Sequence, residues 1–199
     1  MIVQALDDVQ FGLKEEYDFE WLREYGRVFC VFDQQDSGNI CFGVDDGTTR
    51  CFIKYAGAST LNYEGSSDEA IQRLQRSVSI YKTVQHPNLI RLVDHFPRSN
   101  GYAAIFEWVD GECLHAHWNF EQYPKYTHPQ SPNVRFLALS LEDKLDSLAA
   151  IYSVHQSVAR SGYVAIDFYD GSVLYDFDTK RTMICDIDLY EKMPYQNEM

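Results

Sequence analysis

The segment VAIDFYDGSVLYDFDTKRTMICDID, residues 164–188, decides how the rest of the chain is interpreted. It holds two short apolar runs, residues 172–175 and 182–185, joined by a polar turn, a pattern typical of a β-hairpin. Asp167 precedes the first run and Asp186 follows the second, so closing the hairpin predicts that their carboxylates meet. Because crowded like charges repel, the pattern indicates a cation site beside a general base, with a solvated acidic loop as the alternative.

Composition and charge restrict the classes of protein to consider. The chain has 199 residues, enough for a substantial core, and a formal net charge of -13. That charge argues against binding to nucleic acid or to an anionic membrane. The sequence shows neither a membrane-spanning run nor a signal peptide, and its 5 cysteines include no CxxC pair. We therefore expect a cytoplasmic protein with reduced thiols, and we do not favour structural zinc.

The first half of the chain is predicted to be rich in antiparallel strands. Residues 27–32, 40–44 and 50–55 have the apolar and β-branched content of strands, and short polar turns join them into a meander. Residues 1–26 are polar and acidic with scattered aromatic side chains, and we interpret them as a helical lead-in. Lys54 lies inside the third strand, although a lone lysine in a strand is usually at an edge or in solvent.

A helix and two more strands follow this meander. Residues 66–85 carry apolar side chains at three- and four-residue steps, which predicts an amphipathic helix. Ser66 and Glu69 match a capping box at its start. Residues 89–96 and 102–109 have the pattern of strands, so residues 27–109 are expected to form a five-stranded antiparallel sheet with one helix packed on it.

The second half begins with a long polar segment and continues into a second helix. Residues 115–138 lack a clear period and contain His115, His117 and His128, which favours a surface loop over a metal site. Residues 140–161 are predicted to be a helix capped by Ser140. Its apolar face would consist of Leu141, Leu145, Leu148 and Tyr152.

This order of elements resembles the protein-kinase-like superfamily. The resemblance covers roughly residues 27–190 and rests on five motifs in the family's order. It implies an α+β fold: an N-terminal extension at residues 1–26, a five-stranded antiparallel N-lobe with one helix at residues 27–109, and a partial helical C-lobe at residues 110–199. The five motifs are FIKY, HPNLIRLVDHF, IFEWVDGECL, VAIDFYDGSVLYD and CDID.

The resemblance also implies roles for individual residues, with ATP and Mg²⁺ as cofactors. Lys54 would anchor the ATP phosphates, Asp167 would be the catalytic base, and Asp186 would hold Mg²⁺. Ser172 takes the place of the second metal ligand, where Asp170 is close enough to substitute. The residues implied to contact the nucleotide are Gly38, Ile40, Phe106, Glu107 and Val109.

The chain departs from the family pattern at several positions. Only Gly38 matches the three glycines of the nucleotide loop, and two aspartates in that loop would repel phosphates. Ser77 stands where the family has the glutamate that pairs with the lysine, and Tyr169 stands where the catalytic loop has a lysine. The chain also stops soon after the metal triplet, and we interpret it as a fragment of a longer protein, with a reduced natural form as the alternative.

These observations lead to one functional expectation and two alternatives. The expected activity is ATP- and Mg²⁺-dependent phosphoryl transfer to a protein hydroxyl, as in serine/threonine protein kinases. A small-molecule phosphotransferase of the aminoglycoside type remains open because the catalytic-loop lysine is absent. The substituted nucleotide loop and Ser77 leave open a pseudokinase or scaffold module that binds nucleotide without catalysis. The expected partners are ATP and the hydroxyl substrate, with no nucleic acid and no membrane.

Overall fold

A computed structural model describes residues 1–115 and 124–196 of the chain and confirms the predicted α+β class. The chain divides into a first unit, Met1–Val78 with Arg91–Trp108, and a second unit, Ser79–Ile90 with Val109–Met199. Within the described residues, no helix is long and apolar enough to cross a membrane.

The strands are β1 (Ile2–Leu6), β2 (Val9–Leu13), β3 (Arg27–Phe32), β4 (Asn39–Asp45), β5 (Arg50–Ala56), β6 (Leu92–Arg98), β7 (Gly101–Glu107), β8 (Glu112–Cys113), β9 (Tyr163–Val164), β10 (Val173–Asp176), β11 (Arg181–Ile184) and β12 (Glu191–Lys192). The α-helices are α1 (Ser67–Thr83), α2 (Pro132–Leu137) and α3 (Leu141–Arg160).

The first unit is built on the predicted five-stranded antiparallel sheet, in the order β3-β4-β5-β7-β6. Side chains alternate between its two faces, so each strand contributes to both. Ile53 and Ile105 are opposite each other in the register and lie on one face, while Lys54 and Ala104 are opposite each other on the other face. β6 begins later than predicted, at Leu92.

The expectation of a helical lead-in at residues 1–26 is wrong. β1 and β2 form an antiparallel hairpin, and the only helical turn in this segment is a 3-10 helix at Glu20–Glu24. The hairpin turns at Asp7, whose φ is 50°, and the Asp7 carboxylate accepts a 2.9 Å hydrogen bond from the Val28 N–H. This bond and Arg23 hold the pKa of Asp7 below its usual value. In the sequence, the apolar residues Val9, Phe11 and Leu13 alternate with Gln10 and Gly12, which is a strand signal.

The N-terminal segment covers the sheet face that carries Ile53. The buried core there combines sheet residues with side chains from β2 and from the 3-10 helix. Phe19 lies at its centre, with its ring centroid 4.9 Å from that of Phe42 and 5.6 Å from that of Tyr55. One sheet face is therefore filled by residues 1–26, and the face that carries Lys54 is left for other contacts.

Helix α1 confirms the predicted capping box. The Ser66 N–H donates to Glu69 Oε2 at 3.0 Å, and the Glu69 N–H donates to Ser66 Oγ at 3.2 Å. These two bonds satisfy backbone donors that the first helical turn leaves without partners. The helix ends at Thr83, close to the His-Pro pair that predicted its end.

The second unit contains the predicted hairpin of β10 and β11. β10 pairs with β11 on one side and with β8 on the other, while β9 pairs with β12. At the turn, the Asp176 carboxylate accepts hydrogen bonds from the Asp178 N–H at 2.9 Å and the Thr179 N–H at 3.1 Å. The Thr179 hydroxyl also donates to this carboxylate at 2.6 Å, and that bond, followed by the two backbone bonds, lowers the pKa of Asp176 and closes the turn.

Helix α3 has its predicted cap but not its predicted buried face. The Asp143 N–H donates to Ser140 Oγ at 3.1 Å. The buried side chains are Ser147, Val154 and Val158, and Ser147 Oγ accepts a buried 2.8 Å hydrogen bond from Thr182 Oγ1 of β11. The predicted apolar side chains are exposed instead: Leu141 72%, Leu145 54%, Leu148 47% and Tyr152 73%.

The polar segment at residues 115–138 is not entirely irregular. α2 lies inside it and begins with Pro132, a residue favoured in the first turn of a helix. The predicted loop histidine His117 lies outside the described residues. His115 and Lys125 lie on either side of that gap, and both contact the hairpin region described below.

Candidate functional site

Lys54 is buried inside the first unit, unlike most strand lysines. It is 5% exposed and lies opposite Cys41 of β4 and Ala104 of β7. Its Nζ is 5.8 Å from the centroid of the Phe106 ring. Because both neighbours across the sheet are small, the lysine stem lies between them and keeps its ammonium group beside the aromatic ring.

Phe106 and Lys54 share a sheet face. Phe106 is 0% exposed and pairs in register with Phe52, whose ring centroid is 6.3 Å away. Beside them, the Phe29 and Trp108 rings meet edge to face at 4.8 Å. This face of the first unit therefore places buried aromatic rings next to a cation, a combination of groups that suits a planar aromatic ligand with attached phosphates.

Ile40 is not positioned with Lys54. It pairs with Tyr55 in the register and lies in the core on the opposite sheet face, at 0% exposure. Cys41 occupies the corresponding place on the Lys54 face. Cys41 therefore takes the place of Ile40 as the β4 residue nearest to Lys54, because neighbouring residues of a strand point to opposite faces.

The loop that contains Gly38 is held by contacts within the first unit. The Gly12 N–H donates to Asp33 Oδ2 at 2.8 Å, and an Arg73 guanidinium N–H donates to the Ser37 carbonyl at 3.0 Å. Gly38 has a φ of +80°, and a Cβ there would lie 2.8 Å from Cβ of Ala70 in α1. A glycine is therefore required at this position by backbone conformation and by close approach of α1.

Ser77 of α1 is directed back to its own helix. It is 0% exposed, and its Oγ donates to the Leu74 carbonyl at 2.9 Å. The helix thus carries a short neutral side chain where the family pattern has a glutamate, as the sequence indicated.

The chain segment at residues 107–109 follows β7. The Glu107 N–H donates to the Arg91 carbonyl at 3.0 Å, and the Trp108 N–H donates to the Arg50 carbonyl at 3.2 Å. The Glu107 side chain forms an exposed ion pair with Arg91, which lowers the pKa of Glu107. The Glu107 N–H is thus already used inside the first unit, and Val109 belongs to the second unit.

In the second unit, residues 86–90 lie beside β11 and hydrogen-bond to it. The Ile184 N–H donates to the Asn88 carbonyl at 2.7 Å, and the Ile90 N–H donates to the Ile184 carbonyl at 3.0 Å. The Asn88 side-chain amide donates to the Thr182 carbonyl at 2.9 Å. Residues 88–90, which follow α1, therefore hydrogen-bond to β11, the strand that leads to Asp186.

The hairpin pairing continues one residue beyond β10 and β11, while the predicted meeting of Asp167 with Asp186 stays a prediction. The Cys185 N–H donates to the Ser172 carbonyl at 2.9 Å, so Ser172 is beside the residue that precedes Asp186. Ser172 is 1% exposed and ends a 3-10 turn that begins at Asp170. Asp186 Oδ1 accepts a 3.0 Å hydrogen bond from the Asp188 N–H, which closes a small loop at residues 186–188.

Tyr81 of α1 secures this acidic loop. Its hydroxyl accepts a 3.1 Å hydrogen bond from the Ile187 N–H and donates to Asp188 Oδ1 at 3.1 Å. The sequence analysis placed Tyr81 on the apolar face of α1 and missed this hydroxyl role, because hydrophobic spacing says nothing about the polar end of the ring.

Tyr190 is a buried tyrosine bound to α3. It is 2% exposed, and its pKa is raised first by burial and then by the charges of Asp186 and Asp167. Its hydroxyl donates to His155 Nε2 at 2.8 Å, because His155 Nδ1–H donates to the Ile151 carbonyl at 2.8 Å. Asp167 itself is exposed. No motif had indicated this tyrosine.

The structure also places a cation beside Asp170 that the sequence did not suggest. Lys125 forms an ion pair with Asp170 and is 8% exposed. Lys125 comes from the polar segment that we interpreted as a surface loop. No pattern in that segment separated this lysine from its polar neighbours.

The donor set at the hairpin end suits a hard cation. Asp186 and Ser172 offer oxygen atoms, which Mg²⁺ prefers. In the part of the chain that the structure describes, no group of three or more His, Cys, Asp or Glu residues is arranged to hold a metal by itself. A Mg²⁺ ion at this place would thus need further oxygens from a ligand such as a nucleotide.

Comparison with known proteins adds no family assignment. Neither a scan of protein families nor a search of curated proteins finds a match to this chain.

Proposed function

We propose that the chain is an ATP- and Mg²⁺-dependent phosphotransferase with a protein-kinase-like fold, acting on a protein hydroxyl. The observation that carries the proposal is the end of the hairpin in the second unit. There, the Cys185 N–H donates to the Ser172 carbonyl, which fixes the chain just before Asp186, and Asp167 is an exposed carboxylate. One carboxylate to hold a metal ion and a second, exposed one to take a proton are the groups that phosphoryl transfer requires.

The first unit supports the same proposal independently. It combines a five-stranded antiparallel sheet with a buried lysine on the face that carries Phe106. In the proposal, Lys54 binds the ATP phosphates, Phe106 borders the adenine, and Cys41 replaces Ile40 as a contact from β4. Gly38 is assigned to the nucleotide loop, while the backbone of Glu107 and Val109 is assigned to the adenine edge.

In the second unit, the proposed roles follow from charge and exposure. Asp186 and Ser172 would hold Mg²⁺, which supplies positive charge against the phosphates when bound. Asp167 orients the acceptor hydroxyl and takes its proton, since it is an exposed carboxylate that a substrate can reach. Positioning and charge neutralisation account for most of the rate in such reactions, so few residues are needed.

A nucleotide-binding module without catalysis is the second candidate. The loop that contains Gly38 is held by Asp33 and Arg73, and Ser77 offers Lys54 no carboxylate. These contacts favour weak nucleotide binding. A small-molecule phosphotransferase differs only in the acceptor, and Tyr169 in the catalytic loop keeps it open.

Calorimetric titration of the full chain with ATP, with and without Mg²⁺, tests the proposal. We expect Mg²⁺-dependent binding that the buried substitution Lys54→Met removes. Lys180→Met is the matched control, because Lys180 forms an exposed pair with Asp143 and its side chain is 62% exposed. Equal ATP binding by the parent protein and Lys54→Met would reject the assignment, as would binding that is indifferent to Mg²⁺.

A second prediction concerns Phe106. Replacing it with alanine should open space beside Lys54, so that an ATP analogue with a benzyl group on N6 binds about tenfold more tightly than it binds the parent. Competition binding with a fluorescent nucleotide measures this change. Phe106→Leu, which retains more buried apolar area, serves as the folded control. If the bulky analogue binds the parent and Phe106→Ala equally well, the adenine does not lie beside this ring.

A further inference from the structure

The Asp170 carboxylate is surrounded by groups from the segment that precedes α3. Its Oδ2 receives Lys125 Nζ in an ion pair and the Asn133 side-chain N–H at 3.3 Å. Its Oδ1 is 3.3 Å from Nδ1 of His115. Both oxygens of the residue that was expected to assist Ser172 in binding a metal are therefore already in contact with protein groups.

Lys125 also contacts the other neighbour of Asp170. Its Nζ is 2.7 Å from His115 Nδ1, and an ammonium group only donates hydrogen bonds. Lys125 therefore lies between His115 and Asp170 and is the cation that pairs with the Asp170 carboxylate.

Contacts to its backbone and to its side chain hold Lys125 in place. The lysine is 8% exposed, and the Ser131 hydroxyl donates to its backbone carbonyl at 2.6 Å. Its ammonium group also lies 5.0 Å from the Tyr126 ring centroid. These contacts hold the buried ammonium group of Lys125 next to the Asp170 carboxylate.

The cluster adjoins the proposed metal position. Asp170 begins the 3-10 turn that ends at Ser172, and the Ser172 carbonyl is bonded to the residue before Asp186. The Cys113 thiol donates to the Gly171 carbonyl in this turn at 3.4 Å. Burial raises the pKa of Cys113 to about 11, and the charges of Asp170 and Asp186 both contribute, so both carboxylates lie near this thiol.

We propose that the Lys125 ammonium group takes the place of the second metal ion at this site, neutralising Asp170 and holding the turn that carries Ser172. This inference rests on the proposed phosphotransferase function. Kinases of the family hold two Mg²⁺ ions, through the triplet aspartate and a catalytic-loop asparagine. Here Ser172 replaces that asparagine, and the lysine provides the positive charge, so the site binds one metal ion per nucleotide.

Counting bound Mn²⁺ by electron paramagnetic resonance tests this inference on the full chain. With a non-hydrolysable ATP analogue, we expect one Mn²⁺ per nucleotide in the parent protein and a second one in Lys125→Met, because the Asp170 carboxylate then lacks its cationic partner. Lys125→Met, Asp170→Asn should return to one. Lys125→Arg and Lys180→Met should resemble the parent, and circular dichroism checks that each variant is folded.

The outcomes separate this inference from the proposed function. Two Mn²⁺ ions in the parent protein would overturn the inference without any variant, and so would a Lys125→Met protein that gains no metal. The titration is repeated without nucleotide, where Lys125→Met should still gain a Mn²⁺ site that Asp170→Asn removes. If no variant binds nucleotide but this gain is present, the phosphotransferase proposal fails while the role of Lys125 stands.

Discussion

Asp186→Asn is expected to abolish Mg²⁺-dependent ATP binding, with a loss of at least about 100-fold in affinity, or about 2.7 kcal/mol. The substitution removes the charge that is proposed to hold the metal ion but keeps an oxygen at almost the same place. That oxygen can still accept the 3.0 Å hydrogen bond from the Asp188 N–H, so the loop at residues 186–188 should remain folded. Calorimetric titration with ATP at saturating Mg²⁺ measures the loss.

Asp167→Asn is the matched comparison for this experiment. It removes one charge from the same end of the hairpin, yet Asp167 is assigned to the acceptor hydroxyl and not to the metal. We expect its ATP affinity to stay close to that of the parent and any phosphoryl transfer to fall by about 10²–10⁴-fold. Equal losses of ATP affinity in both variants would show that the two carboxylates do not have separate roles. Unchanged affinity in Asp186→Asn would remove the metal assignment.

The parts of the fold that the sequence predicted correctly have local signals. The capping box of α1, the cap of α3 and the hairpin turn each depend on side chains within a few residues of the bonds they make. Alternation along β5 correctly placed Lys54 on the face of Phe52. Local patterns were sufficient here because the partners are close in the chain.

The features that the sequence did not predict depend on distant partners. Lys125 is 45 residues from Asp170 in the chain, and no sequence pattern around Lys125 indicates a buried cation. Ile40 lies one residue from Cys41, and that single step changes the sheet face. Tyr190 contacts His155, which is 35 residues away in the chain.

Helix α3 shows that hydrophobic spacing identifies a helix without identifying its buried side. Leu145 and Leu148 lie at helical spacing, yet both are largely exposed. The buried side instead carries Ser147, which a polar partner from β11 satisfies. A small hydroxyl pair permits close approach of the helix and the strand, which leucine side chains at that position would prevent. The pattern was correctly read as helical but assigned to the wrong side.

Phe19→Ala is expected to destabilise the protein by about 3–5 kcal/mol, the usual cost of emptying a buried phenylalanine site. Phe19 is 3% exposed and contacts Phe11, Tyr17, Phe42 and Tyr55. These rings join the N-terminal segment to the five-stranded sheet, so the cavity cannot be filled by a small local shift. Urea unfolding followed by circular dichroism measures the change in free energy.

Val3→Ala is the control for this experiment, since Val3 lies in the same N-terminal segment but is 62% exposed. It should change the free energy of unfolding by less than about 0.5 kcal/mol, as surface substitutions usually do. A Phe19→Ala cost below about 1 kcal/mol would mean that residues 1–26 contribute little to the stability of the sheet. A large cost, with Val3→Ala unchanged, would establish this segment as part of the first unit's core, because only the buried side chain would then carry the stabilisation.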